Sequence, residues 1–390
     1  MSDTFCILPW THVYTNPKGM CTSCCDSRME PFEWQQNFKD TINHSELQKL
    51  RSDLANGVKN PHCSFCWNKE DAGLKSVRQI MNNSIIYKDI NVSEFTNSDY
   101  SLTDPKIRYL DIRSSNLCNY KCRFCGPTLS NSWVPIWRQL TKLKNDPWPK
   151  NGIIEFDIQA TDILDHIQYI RSVHLAGGEP VLMPGTYWLL DQFIERKLFD
   201  VRWSIISNTS RLSYGNKKIT DLLKHFEDVC WSMSIDAIGK KHSYLRSNAN
   251  DWDIVYQNSQ TLIDMRKNSS LKKLFIHCSV SWLNLYAAYD VWEMYHDKVD
   301  QFDFNFVFYP AHFNIHNVLP ESEIQRAIKF YESKEKHPDL DKILSFLRTK
   351  PDDCQDLLDV AKKFHEEHDQ VRFENLLDCF PEWENMLKNS

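Results

Sequence analysis

From Ile107 to Phe308 the chain repeats one pattern, a short run of aliphatic, β-branched and aromatic residues followed by a longer stretch of helical character. Six runs read as strands, at 107–112, 173–176, 201–206, 229–235, 274–280 and 302–308, and the intervening sequence predicts helices near 186–197, 218–227, 252–266 and 286–298. Neighbouring parallel strands need a long crossover, usually a helix, whereas antiparallel neighbours need only a tight turn. Strands alternating with helices of this length therefore predict parallel βα units. Right-handed crossovers would wind them into an open or closed barrel. The expected fold class is α/β, six parallel strands with their crossover helices over residues 106–310.

The flanks differ in character. Residues 1–72 are cysteine-rich and loop-rich, with an alternating ILPWTHVYT segment expected as a strand, a turn at Asn16-Pro17-Lys18-Gly19 and a short helix over 47–54. Residues 73–105 are polar and expected as a connector. Residues 311–390 are expected as a charged helical extension. Apolar residues make up 42% and charged residues 25% of the 390, as in ordinary soluble globular proteins. A net charge of −6 lacks the basic footprint of a nucleic-acid binder. There is no apolar run of about twenty residues to span a membrane. The opening MSDTFCILPW lacks the basic-then-apolar pattern of a signal peptide, so the expected compartment is the cytoplasm.

Thirteen cysteines in a cytoplasmic chain point to metal binding or reactivity, because disulfides are rare there. Nine fall in three groups before residue 126. The other four, Cys230, Cys278, Cys354 and Cys379, are expected as small buried hydrophobes. The tightest group is Cys118-x3-Cys122-x2-Cys125, in the loop after the first expected core strand. Three thiolates on one short loop hold three irons of a [4Fe–4S] cubane and leave the fourth open for a substrate group. Zinc would ask for a fourth ligand, and the loop supplies no further cysteine or histidine. The second expected core strand ends in Gly177-Gly178-Glu179-Pro180. Glycine lets backbone approach a ligand closely, and a glutamate beside it accepts from an ammonium group; a plain strand-to-helix turn is the alternative.

Together the cysteine triplet and the GGEP segment resemble the radical S-adenosylmethionine superfamily, and Phe124 before the third cysteine fits that likeness, which covers roughly residues 106–310. The resemblance implies that Cys118, Cys122 and Cys125 carry a [4Fe–4S] cluster whose open iron is chelated by S-adenosylmethionine. Reductive cleavage there would give a 5′-deoxyadenosyl radical that takes hydrogen from a substrate. It also implies cofactor contacts from Phe124, Gly177, Gly178 and Glu179, from Ser207 in the segment facing the methionine part, from Ser234 and Asp236 near the ribose, and from Arg246 toward the carboxylate. Ser, Asn and Asp at such places serve equally as helix caps. The fold that the resemblance implies is a partial (β/α)6 barrel of the TIM type, with both motifs at the C-terminal ends of strands, where barrel enzymes place their active sites. A flavodoxin- or ferredoxin-type reductant and a peptide or small-molecule substrate are implied.

The N-terminal cysteines follow C-x12-G-x4-C and then C-x2-C, namely Cys6, Gly19, Cys24, Cys63 and Cys66. This resembles the twitch module, related to SPASM, which holds an auxiliary iron–sulfur cluster; here it precedes the barrel, whereas in the family it usually follows. The resemblance implies a second [4Fe–4S] cluster serving as an electron relay. Cys21 and Cys24 with Cys63 and Cys66 also have the spacing of a zinc ribbon, so zinc stays open, and Cys25 is spare in both readings. Two other functions remain alternatives: a non-catalytic iron–sulfur or zinc scaffold, and an RNA-modifying radical enzyme. His312 and His316, just beyond the last strand, are expected as structural side chains that could instead assist proton transfer.

Overall fold

The computed structural model describes residues 2–71, 75–142, 145–246, 251–269, 271–349 and 354–388. The expected boundary at 72–73 and the serine that follows Arg246 lie outside these residues. The chain divides into two compact units: residues 1–116, 154–205 and 213–229, and residues 117–153, 206–212 and 230–390.

Unit one is an α/β unit with a mainly parallel sheet. Its strands are β1 His12–Thr15, β2 Met20–Thr22, β3 Phe32–Glu33, β4 Tyr109–Ile112, β5 Ser172–Leu175 and β6 Arg202–Ser207, the last followed here through Ile205, in the order β3-β2-β1-β4-β5-β6. β1, β4, β5 and β6 are parallel neighbours, with His12 opposite Tyr109 opposite Ser172 opposite Arg202. β1 turns back antiparallel into β2 through Asn16–Gly19, where Gly19 N donates to Asn16 O (2.9 Å) at φ +74°. Strand alternation puts Val13, Leu110, Ile112, Val173, Leu175, Trp203 and Ile205 on one face, each at most 4% exposed. The helix Pro184–Glu195 covers part of that face, its Phe193 ring meeting Trp203 edge-on at 5.4 Å. Each such side chain removed from water contributes roughly 1.5–3 kcal/mol.

One expectation for this region changes. Leu8–Thr11 forms a helical turn, and only His12–Thr15 of the expected strand is extended. Pro9 sits near the start of that turn, where its missing N–H costs no hydrogen bond. The polar stretch after the cysteine-rich segment contains the helix Val77–Asn82, started by a reciprocal capping box between Ser76 and Gln79.

Unit two carries β7 Asp228–Ser234, here from Cys230, β8 Lys273–Val280 and β9 Gln301–Phe306, all parallel in the order β7-β8-β9. Helices Gly239–Arg246 and Trp252–Lys267 separate the first two strands, and Ala287–Tyr295 the last two. The expected C-terminal helices are Glu321–Glu332, Pro338–Arg348 and Leu358–Arg372. The last ends at Phe373, whose left-handed conformation (φ +56°) turns Glu374 back toward Arg123. Among the described residues no helix is long and apolar enough to cross a membrane.

Candidate functional site

The loop carrying Cys118, Cys122 and Cys125 lies in unit two, and its backbone is pinned along its length. Asn131 Oδ1 accepts from Cys118 N (2.9 Å), Ser132 Oγ donates to Cys118 O (2.7 Å), and Trp133 Nε1 donates to Cys122 O (2.7 Å). The end of the helix Gly239–Arg246 accepts two loop amides, Lys121 N to Arg246 O (3.1 Å) and Arg123 N to Leu245 O (2.8 Å). Tyr120 N lies 3.4 Å from Cys118 Sγ as a donor to sulfur, and Asn208 Nδ2 approaches the same sulfur at 4.0 Å.

The side chain between the second and third cysteines locks this loop to the C-terminal extension. Arg123 is fully buried; its Nη2 donates to Asp369 (2.5 Å) and Glu374 (2.6 Å), and its Nε to Tyr244 O (3.0 Å). Arg372 donates to Lys121 O (2.6 Å) and stands 4.9 Å from the Trp133 ring. Burial pushes the Cys122 thiol up, opposed by the guanidinium groups of Arg246 and Arg372. Burial and neighbouring Cys122 push the Cys125 thiol up to about 12. Cluster binding needs thiolates, so these arginines supply the charge that favours them.

Asp236 and Arg246 are buried and paired: Arg246 Nε donates to Asp236 Oδ2 (2.5 Å), while Asp236 Oδ1 accepts from Ser279 N (2.7 Å). Burial alone would lower Arg246, but Asp236 holds it above its ordinary value. The Arg246 guanidinium carbon also stands 6.0 Å from the Phe124 ring. Ser207 Oγ accepts from Thr209 N (3.0 Å), and Ser234 ends β7 half-buried.

Gly177, Gly178 and Glu179 lie in unit one. Gly177 has φ +114°, and a Cβ there would stand 3.2 Å from Arg113 Cβ and 3.4 Å from Ser115 O, so the glycine is required by both conformation and contact. Glu179 is fully buried, and its carboxylate caps the turn after it by accepting from Val181 N (3.2 Å).

The N-terminal cysteines separate into two sets. Cys6, Cys24, Cys63 and Cys66 line one cavity together with His62 and Arg78. Burial raises the Cys63 thiol to about 12 and raises Cys6 and Cys24 as well, with each of these thiols acting on others of the set. Cys21 stays out of that cavity: it is paired with Phe32 in the β2–β3 ladder and its thiol faces Gly19 O at 3.6 Å. Cys25 is exposed beside Asp26. Arg78 donates to the carbonyls of Asp3 (2.9 Å) and Phe5 (2.8 Å) and to Glu70 (2.5 and 3.0 Å), tying the chain before Cys6 to the helix that carries Cys66. Among the described residues no three His, Cys, Asp or Glu side chains converge closely enough to share one metal ion.

Sequence reasoning passed over Arg78, Arg123 and Arg372. Their partners are remote in the chain, up to 251 positions for Arg372 and Lys121, and a lone arginine in a polar stretch carries no signal of them. His316 is buried with Nε2 against Phe346 O (2.9 Å), and His312 packs on the Phe364 ring at 4.5 Å, both structural placements. Cys230 and Cys278 are buried as expected, whereas Cys354 and Cys379 are only half-buried.

No protein-family model matches the chain. Over 137 residues, 35% of this chain and 36% of the other, it is 26% identical to the GTP 3',8-cyclase of Aliarcobacter butzleri (strain RM4018), so it spans about a third of that relative's length. Among solved structures it is similar to native anSMEcpe with bound AdoMet, at 13% identity and a TM-score of 0.37 over 58% of this chain and 60% of that one. It is also similar to Streptococcus suis SuiB bound to S-adenosylmethionine, at 16% identity and a TM-score of 0.33 over 82% and 66%. The two structural likenesses are too distant to carry a functional assignment.

Proposed function

We propose that this chain is a radical S-adenosylmethionine enzyme, holding one [4Fe–4S] cluster on Cys118, Cys122 and Cys125 and a second on Cys6, Cys24, Cys63 and Cys66. The observation that carries it is the unit-two loop, which presents three cysteines on a backbone held at both flanks, with buried arginines beside the thiols. The similarity to GTP 3',8-cyclase supports the same reading. When bound, the reduced first cluster supplies the electron that splits the C5′–S bond of S-adenosylmethionine.

The chain's own residues divide the remaining work. Arg246 and Arg372 favour the thiolate form of Cys122, and Tyr120 N and Asn208 aim N–H groups at Cys118. Such hydrogen bonds to sulfur are among the terms that set a cluster's potential. Gly177 and Gly178 expose backbone at the end of β5 for the methionine end of the cofactor, with Glu179 as its acceptor and Phe124, Ser207 and Ser234 as further contacts. Asp236 and Arg246, proposed as cofactor contacts near the ribose and carboxylate, are paired with one another, and Arg246 O also accepts from Lys121 N of the loop.

Cys6 lines the cavity with Cys24, Cys63 and Cys66, and Cys21 does not, which supports the ligand set of the cluster reading over that of the zinc ribbon. With four protein ligands the second cluster has no open iron, which suits electron relay. The partners are a flavodoxin- or ferredoxin-type reductant and a peptide or small molecule.

The test is anaerobic reconstitution with iron and sulfide, then dithionite and S-adenosylmethionine, reading 5′-deoxyadenosine and iron per chain. About eight irons, as two four-iron clusters require, with 5′-deoxyadenosine lost in Cys122→Ala, is the expected result. About four irons with tightly held zinc would remove the second cluster, and a fully loaded, reduced protein that makes no 5′-deoxyadenosine would remove the radical chemistry.

A further inference from the structure

The face of the unit-one sheet opposite its apolar side is polar. Strand alternation and the parallel register place His12 and Tyr14 of β1, Tyr109 and Asp111 of β4, His174 of β5 and Ser204 of β6 together on it. Several of these groups have local partners. His12 Nδ1 meets Tyr109 O at 2.9 Å, its ring stacked on Tyr109 at 4.4 Å, and His174 Nδ1 meets Ser204 Oγ at 3.1 Å.

Asp111 is the exception. It is 1% exposed, and neither carboxylate oxygen makes a hydrogen bond. Its ion-pair partner, Arg113, holds Nε 3.6 Å from Oδ1, beyond hydrogen-bond reach, and that Nε is itself unmatched. The Arg113 guanidinium lies over the Tyr14 ring at 5.0 Å with its side chain 23% exposed. A buried carboxylate without a donor is costly, and native structures rarely leave one so. His12 cannot serve as the cation, because burial keeps it neutral.

One further contact locates this patch: the Gly177 turn packs directly on Arg113. The pair thus borders the glycine segment assigned above to the cofactor.

We propose that Asp111 and Arg113 form a subsite for an α-amino-acid zwitterion, with the ligand's ammonium group on Asp111 and its carboxylate on Arg113, and that this group belongs to the substrate. An ammonium and a carboxylate carried on one carbon match, in number and sign, the two groups that lack a hydrogen bond, and the Tyr14 ring already faces the Arg113 cation at 5.0 Å. The inference extends the radical-enzyme reading by naming a substrate class, but the binding it asserts needs no turnover. S-adenosylmethionine also ends in such a zwitterion, so the two sources are separated by experiment.

The reconstituted protein is titrated calorimetrically with the twenty free L-amino acids, with the N-acetyl and amide derivatives of any that bind, and separately with S-adenosylmethionine. At least one free amino acid is expected to bind, with its affinity falling tenfold or more on N-acetylation, on amidation, and in Asp111→Asn or Arg113→Gln. Affinity for S-adenosylmethionine is expected to stay within twofold in both variants. If the variants instead lose S-adenosylmethionine, the zwitterion is the cofactor's and the substrate subsite is overturned. If no amino acid binds the wild-type protein, the pair is an internal ion pair and the proposal is overturned. A protein that binds an amino acid but never S-adenosylmethionine would keep the subsite while removing the radical reading.

Discussion

Replacing Arg123 with Met tests whether the C-terminal extension is what holds the cysteine loop in place. The guanidinium is fully buried and donates to Asp369, Glu374 and Tyr244 O at 2.5–3.0 Å, with its central carbon 3.6 Å from the centre of the Tyr244 ring. Removing one partner of a buried ion pair costs roughly 3–5 kcal/mol, because the other charge is left uncompensated. Asp369 retains donors from Tyr244 Oη (2.9 Å) and Leu376 N (2.7 Å), and the two carboxylate side chains keep 15% and 18% exposure. The lower end is therefore expected, about 3 kcal/mol, or roughly 150-fold in the folding constant. In urea that displaces the unfolding midpoint by about 1 M at a slope of about 3 kcal/mol/M. Adding Glu374→Gln to Arg123→Met should recover part of the loss, since the stranded charge is gone, and the double-mutant cycle reads the coupling directly. A loss below about 1 kcal/mol, the range of exposed ion pairs, with no coupling to Glu374, would refute the anchoring.

Three other outcomes follow from the geometry. Gly19→Ala places a Cβ 2.5 Å from Phe156 Cδ2 at a backbone φ of +74°; left-handed strain and overpacking together should cost roughly 2–4 kcal/mol, and an unchanged calorimetric Tm would contradict this. His242 is fully buried, and burial followed by the neighbouring Arg246 charge lowers it to about 3. Above pH 6.5 it is neutral in both folded and unfolded chains; as pH falls below that, only the unfolded chain takes up the proton, so stability drops by up to about 1.4 kcal/mol per pH unit, about 2 kcal/mol at pH 5. His242→Leu should flatten that part of the urea-measured pH profile, and an unaltered slope counts against the assignment. Cys6→Ala should leave 5′-deoxyadenosine formation in place while lowering the iron content by roughly four per chain and impairing substrate turnover; full turnover would remove the relay role.

Much of the architecture was legible because it is written locally. The strand runs at 107–112, 173–176 and 274–280 appear within a residue or two as β4, β5 and β8, since alternation, β-branched content and flanking polar residues are properties of a short window. The Asn16–Gly19 turn was readable for the same reason. The apolar run before it was not, because four apolar residues with an internal proline suit a helical turn as well as a strand, and packing decided for Leu8–Thr11. The stretch at 75–82 looked like a connector because its purpose, to bring Arg78 to the chain before Cys6, lies 73 positions away in the contact with Phe5.

The candidate sites divide along the same line. The sequence alone set the three-cysteine loop and the two-glycine turn, since ligand spacing and glycine's freedom at φ +114° at Gly177 are covalent and local properties. Only the tertiary structure decided that β1 lies parallel to β4 from 97 positions away, which assembles the polar row of His12, Tyr14 and Asp111. It also decided that Cys6 rather than Cys21 lines the cavity with Cys24, Cys63 and Cys66, because the β2 ladder turns Cys21 aside. Spacing lists which thiols a cluster could use; the ladder's alternation and the burial it imposes choose among them.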